Sequence, residues 1–143
     1  MKVWFEGEVI DRAYPNDRYL RIVEREYSLH WVDEYSQEHS VVVPVNFITD
    51  LASVPRPLWN IIPPWDNYIK DAAVCHDRMY ETNEVDRATA DSLLYYGMLV
   101  RGASHVGAYA VWTGVRLFGQ SSYETGEKRQ QERIKKLQRL GGK

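Results

Sequence analysis

Within Ala73-Val74-Cys75-His76-Asp77-Arg78-Met79-Tyr80, an imidazole, a carboxylate and a phenol fall within about one and a half turns of an expected helix. His76 and Tyr80 are four residues apart and share a face, while Asp77 sits about 100° round from His76. A second acid, Asp91, follows in Arg87-Ala88-Thr89-Ala90-Asp91, on what reads as the next helix. Such a set can orient a base, activate a water and hold a cation. If the two helices form a hairpin through Glu81-Thr82-Asn83-Glu84, Asp91 reaches His76 from the side. A carboxylate on Nδ1 of His76 would fix its tautomer and leave Nε2 to take a proton from water. His76, Asp91 and Tyr80 are therefore the catalytic candidates. Ala72, Ala73, Val74 and Met79 make the address apolar, and an unpaired carboxylate there costs several kcal/mol. Asp77 thus needs an arginine, backbone donors or a metal ion. The plain alternatives are a core imidazole satisfied by one hydrogen bond and an Arg87–Asp91 pair one turn long.

Asp50 is the other acid of interest, in Phe47-Ile48-Thr49-Asp50-Leu51-Ala52-Ser53-Val54-Pro55-Arg56. The segment is too apolar for an ordinary surface loop, and loops carrying Asp and Ser beside a rigid scaffold are frequent site components. Asp50 and Asp77 are read as candidate ligands to a hard cation, with Ser53 and Arg87 in support. An Asx-type turn, Asp50 bonding the amides of Ala52 or Ser53, is the structural alternative. His30, His39 and His105 make no ligand spacing with His76, so a zinc site of histidines alone is not expected, whereas a mixed His/Asp site stays open. Cys75 beside His76 is poor nucleophile geometry and reads as core. No glycine occurs between Gly7 and Gly97, so phosphate-cradling loops are absent.

These residues need a frame. A chain of 143 residues is long enough for one domain with a sizeable core. No apolar run approaches the ~20 residues of a membrane span, and Met1-Lys2-Val3-Trp4-Phe5-Glu6 has no signal-peptide core. The single cysteine rules out an internal disulfide framework. From Glu127 to Lys143 seven basic residues stand against two acids, on a chain of net charge −2. Such a tail suits an acidic partner, an anionic surface or nucleic acid, or is a solvated helix. The body carries no footprint for sequence-specific nucleic acid.

The pattern predicts an α+β domain over residues 1–119, with a basic helix or tail over 120–143. Residues 1–48 read as an antiparallel β-meander, with strands over Val3–Ile10, Tyr19–Val32 and Ser40–Val45, and a turn at Tyr14-Pro15-Asn16-Asp17. In the second run Tyr27, Leu29 and Trp31 alternate with Ser28 and His30, and Pro44 demotes the third to an edge. Residues 49–66 form a proline-punctuated loop with at most one turn near Leu58-Trp59. A helical bundle follows over 67–119. Its first helix, capped by Asp66 or Asn67, runs to Glu81; its second, capped by Asn83 or Asp86, ends near Gly102. The third runs from Ser104 to Gly119 with a small-residue stripe at Ala103, Gly107, Ala110 and Gly114, and a fourth covers Glu127–Leu140.

Two resemblances bear on function. The Phe47–Arg56 string, His76-Asp77-Arg78-Met79-Tyr80, Arg87–Asp91 and Val115-Arg116-Leu117-Phe118-Gly119, in that order, resemble a small uncharacterised domain family widespread in tailed bacteriophages and prophages. The match covers roughly residues 18 to 119 and implies a phage-encoded protein of the host cytoplasm or the virion. Locally, His-Asp-x-x-Tyr with an Asp on the next helix is similar to the phospholipase A2 superfamily. That likeness implies His76 as base, Asp77 as a calcium ligand, Asp91 as the orienting acid and Tyr80 as support. The glycine-rich calcium loop and the bracing half-cystines of that superfamily are absent here. Three functions follow as expectations. One is a cation-assisted hydrolase of a lipid ester or cell-envelope bond. The second is a non-enzymatic virion or tail component among other phage structural proteins. The third is a host-directed binding protein acting at the envelope or through the basic tail.

Overall fold

The computed structural model describes residues 1–14, 17, 19–51, 54–60, 63 and 66–139. It is α+β, with two three-stranded antiparallel sheets followed by five helices. The strands are β1 (Lys2–Glu6), β2 (Asp11–Ala13), β3 (Arg21–Val23), β4 (Tyr27–Val32), β5 (Glu38–Val43) and β6 (Ile48–Thr49). One sheet has the order β1-β4-β5 and the other β2-β3-β6, so the expected meander resolves into two sheets. The long run Tyr19–Val32 breaks at Glu24-Arg25-Glu26, three polar residues that let β3 and β4 join different partners.

β4 is the central strand. Tyr27, Leu29 and Trp31 point into the core while Ser28, His30 and Val32 are only half-buried, as the alternation requires. Opposite them lie Val43, Val41 and His39 of β5, an edge strand that stops before Pro44. Beyond β6 a 3-10 turn spans Arg56–Asn60. The turn expected at residues 14–17 falls partly outside the described residues.

The helices are α1 (Lys70–Thr82), α2 (Arg87–Val100), α3 (His105–Phe118), α4 (Gln120–Glu124) and α5 (Gly126–Arg139). Asn83 closes α1 in a left-handed conformation (φ 55°), and Asp86 opens α2 by accepting from the Thr89 amide at 3.1 Å. The two residues read as alternative caps thus serve two different ends. Ser104 caps α3 through the Gly107 amide at 3.0 Å. Gly114 is where the small-residue stripe matters: a Cβ there would lie 2.1 Å from a Leu58 methyl of the 3-10 turn. Gly126 lets α5 approach α1, since a Cβ would sit 2.0 Å from the Tyr80 carbonyl oxygen.

The main core lies between the β1-β4-β5 sheet and α1–α3, with Cys75, Met79, Leu93, Leu94 and Met98 completely buried. A second, smaller core joins Tyr14, Leu20, Ile22 and Ile48 to Leu137 of α5. The C-terminal helix therefore packs on α1 and β6. Of its expected apolar residues Leu137 is buried, Ile134 is exposed and Leu140 lies outside the described residues. No described helix is long and apolar enough to cross a membrane.

Candidate functional site

α1 and α2 form the expected hairpin, and it brings His76, Tyr80 and Asp91 together. His76 Nε2 lies 2.7 Å from Asp91 Oδ1, and the Tyr80 hydroxyl donates to the same oxygen at 2.5 Å. The nitrogen facing the acid is Nε2, whereas the sequence reading assigned Nδ1. From one turn of α1, with Asp91 alongside, the long axis of the ring points at the acid. His76 and Tyr80 rings pack at 4.2 Å between centroids. Asp91 Oδ2 is taken by Arg116 of α3, whose Nη1 donates at 2.7 Å. Arg87 stands 4.0 Å from that oxygen. Its Nη2 instead donates to the Val115 and Arg116 carbonyls, at 2.7 Å each, capping the end of α3. Arg87 thus holds α2 to α3 and only grazes Asp91.

The electrostatics follow from these contacts. Burial alone would raise the Asp91 pKa, but the His76, Tyr80 and Arg116 bonds outweigh it and hold the carboxyl below its ordinary range. Burial, then the bond to Asp91, raises the Tyr80 phenol. Burial pushes the Cys75 thiol up to about 12, in keeping with a core role. His76, Asp77 and Asp91 have 0% solvent exposure. Arg116 alone of this cluster has substantial surface, with its side chain 34% exposed.

Asp77 and Asp50 meet a second cluster. The Thr49 hydroxyl donates to Asp77 Oδ2 at 2.6 Å and accepts from the Leu51 amide at 3.2 Å. Leu51 is buried with φ 59°, a left-handed conformation that a branched side chain tolerates poorly. Arg133 of α5 enters from the other side, with Nη1 3.6 Å from Asp77 Oδ2 and close to Glu81, and Nη2 bonded to Asp50. Arg129 reaches Glu81 at 3.2 Å, and Arg56 lies 3.7 Å from Asp50. Burial, reinforced by Asp77, pushes Glu81 up to about 8 against the pull of Arg133 and Arg129. Asp77 Oδ1 is buried with no hydrogen-bond partner among the described residues.

Calcium, implied by the phospholipase-like motif, can be tested against these donors. Asp50, Asp77 and Glu81 each contact Arg133, which lies among them and supplies the positive charge a cation would bring. Among the described residues no three His, Cys, Asp or Glu side chains are grouped to hold a metal ion. With Arg133 in place the donor set does not fit calcium, and Asp50 and Asp77 stand as partners of a guanidinium rather than as ligands. Ser53, read as a supporting residue, lies outside the described residues, as does the Asx turn to Ala52 or Ser53.

Sequence reasoning missed Arg133, Glu81, Thr49 and Arg116. Arg133 sits in a run that reads as a solvated helix, and nothing in its spacing marks it as the residue that turns inward. It also missed a third polar tie: buried Asp71 accepts from the Val9 amide and from Arg101 Nε, both at 2.8 Å, and Arg101 Nη2 donates to the Gly7 carbonyl at 2.7 Å. That set fastens α1 and α2 to the end of β1.

No curated protein and no solved structure matches the chain. A family match does exist, over residues 26–115, from the start of β4 to within the last turn of α3. It takes in His76, Asp77, Tyr80 and Asp91 and stops short of Arg116 and Arg133. Because it spans more than half of the sequence, the chain belongs to the family described as "Protein of unknown function (DUF1353)".

Proposed function

We propose that this protein is a non-enzymatic assembly component of a phage particle or tail, holding a structural partner on the outer face of α3. One observation carries the reading. Val106, Tyr109, Leu117 and Phe118 of that helix are 82%, 59%, 69% and 70% exposed. Val106, Tyr109 and Leu117 follow helical spacing along one side. Large apolar side chains left this open at both ends of one helix are surface that a protein partner can bury. Tyr95, Tyr96, Tyr109 and Trp112 add an aromatic groove of about 300 Å³ beside it.

The buried network then has a role in holding that face. Asp91 joins α1 through His76 and Tyr80 to α3 through Arg116, and Arg87 ties α2 to the last turn of α3. These bonds tie three helices to one another through a single buried acid and its neighbours. Leu117→Lys with Phe118→Ser should retain the wild-type melting temperature and lose incorporation into purified particles, read by mass spectrometry. Incorporation at wild-type level would end this reading.

A hydrolase is the second reading, and the Nε2–Oδ1 contact of 2.7 Å with Tyr80 on the same oxygen favours it. An acid so placed would stabilise the imidazolium after His76 takes a proton. With His76 at 0% exposure, substrate would require an opening movement. Fatty-acid release from phospholipid vesicles that disappears in a His76→Gln variant that remains folded would establish it; no release with or without Ca²⁺ would remove the lipid-ester case.

A further inference from the structure

Four aromatic rings meet in the groove of about 300 Å³ between α2 and α3, which Ser92 completes. Helical spacing puts them there: Ser92, Tyr95 and Tyr96 stand at i, i+3 and i+4 of α2, and Tyr109 and Trp112 at i and i+3 of α3. Tyr96 and Tyr109 are exposed on its open side. Tyr95 and Tyr96 stand almost perpendicular, at 86° with ring centres 5.3 Å apart, whereas Tyr109 and Trp112 incline by 32° at 5.7 Å. The rings therefore wall a hollow instead of forming one flat platform. Among the described residues no lysine or arginine lies over any of the four. Arg116, one turn beyond Trp112, is held by Asp91 at 2.7 Å.

The lining carries no charged side chain, and its side-chain polar groups are the Ser92 hydroxyl, three phenols and an indole N–H. One phenol, that of Tyr95, already meets His105 Nδ1 at 3.3 Å. Aromatic faces are electron-rich and attract a cation, the indole most strongly. A primary ammonium brings three N–H donors, which a lining without a carboxylate leaves poorly matched. A sugar brings a ring of hydroxyls with the same demand. A quaternary ammonium has no N–H and spreads its charge over methyl groups, so it enters such a hollow without leaving a donor unmatched. We infer that this groove binds a quaternary ammonium group, of the kind choline carries, by cation–π contact with Tyr96, Tyr109 and Trp112. The site needs no second chain and so goes beyond the assembly reading.

The test is isothermal titration calorimetry of the full chain with choline chloride, which should show saturable binding at millimolar concentrations. The neutral tert-butyl analogue, in which carbon replaces the nitrogen, keeps the shape and should bind at least about threefold more weakly. Tyr96→Leu with Tyr109→Leu, both at exposed positions, should weaken choline by about tenfold at an unchanged melting temperature. Tyr35→Leu, at an exposed ring outside the groove, should bind as wild type does. Phosphatidylcholine vesicles that carry the protein down on sedimentation would identify a lipid headgroup as the source; choline binding without such sedimentation would identify a soluble one. No saturable heat with choline overturns the inference. So does equal binding of the tert-butyl analogue or of ethanolamine, the primary ammonium counterpart, or full retention of binding in the double variant.

Discussion

Two oxygens of Asp91 answer three partners, so Asp91→Asn removes an ion pair and weakens two charge-assisted bonds at once. The expected loss is roughly 1–3 kcal/mol by urea denaturation at pH 7. Its pH dependence has a definite sign. The folded-state pKa lies below the ordinary value, so this stability is present above that value and drains away as pH falls through the folded one. The gap between wild type and Asp91→Asn should therefore close in acid. An Asp91→Asn protein as stable as wild type at pH 7 would show the network to be dispensable for the fold. Glu81 behaves in the opposite sense. Its folded pKa of about 8 stands above the ordinary 4.5, so the folded state holds a proton that the unfolded chain has released. Stability should fall as pH rises from about 4.5 to about 8, and Glu81→Gln should lack that fall, by up to a few kcal/mol. Parallel curves for the two proteins would mean that Glu81 is ionised in the fold.

α5 fastens to the rest of the molecule through Arg133 and Gly126. Arg133→Met leaves Asp50, Asp77 and Glu81 facing one another without a central cation, and breaking a buried ion pair from one side costs about 3–5 kcal/mol. A loss below about 1 kcal/mol, read by denaturation, would mean that water or a bound ion replaces the guanidinium. The glycines at the two helix contacts should differ in severity. At Gly114 a new methyl meets the rotatable tip of Leu58, whereas at Gly126 it meets the backbone oxygen of Tyr80 and the Glu81 Cα. Gly126→Ala should therefore lower the melting temperature more than Gly114→Ala, since a leucine can turn aside and a helix backbone cannot.

Across the whole molecule, sheet, hairpin and C-terminal helix are tied by buried polar groups as well as by apolar contact. Leu137 completes the second core and Arg133 lies between Asp50 and Glu81, so a chain ending at Gly119 would expose both. Such a chain should unfold well below the full-length protein by calorimetry, with one transition in each case. Two separate transitions in the full chain would instead mark α5 as an independently stable unit.

Local pattern sufficed for much of this. Alternation in Tyr27–Trp31, caps at Asp86 and Ser104, and four-residue spacing between His76 and Tyr80 made β4, the starts of α2 and α3 and the His76–Asp91 hairpin legible in the sequence, because each depends on near neighbours along the chain; the start of α1 was not, since it follows Ile69 without the side-chain cap expected of Asp66 or Asn67. Three outcomes were beyond it. The break at Glu24–Glu26 sends β3 and β4 into different sheets, which strand propensity cannot register because pairing partners lie far away. The side of the imidazole that meets Asp91 is set by how two helices sit against each other. Arg133 turns inward while Lys135 turns out, although composition presents both as members of one basic run. That choice rests on three carboxylates, Asp50 from the loop after β6 and Asp77 and Glu81 from α1, and only folding brings their charges within reach of a single guanidinium.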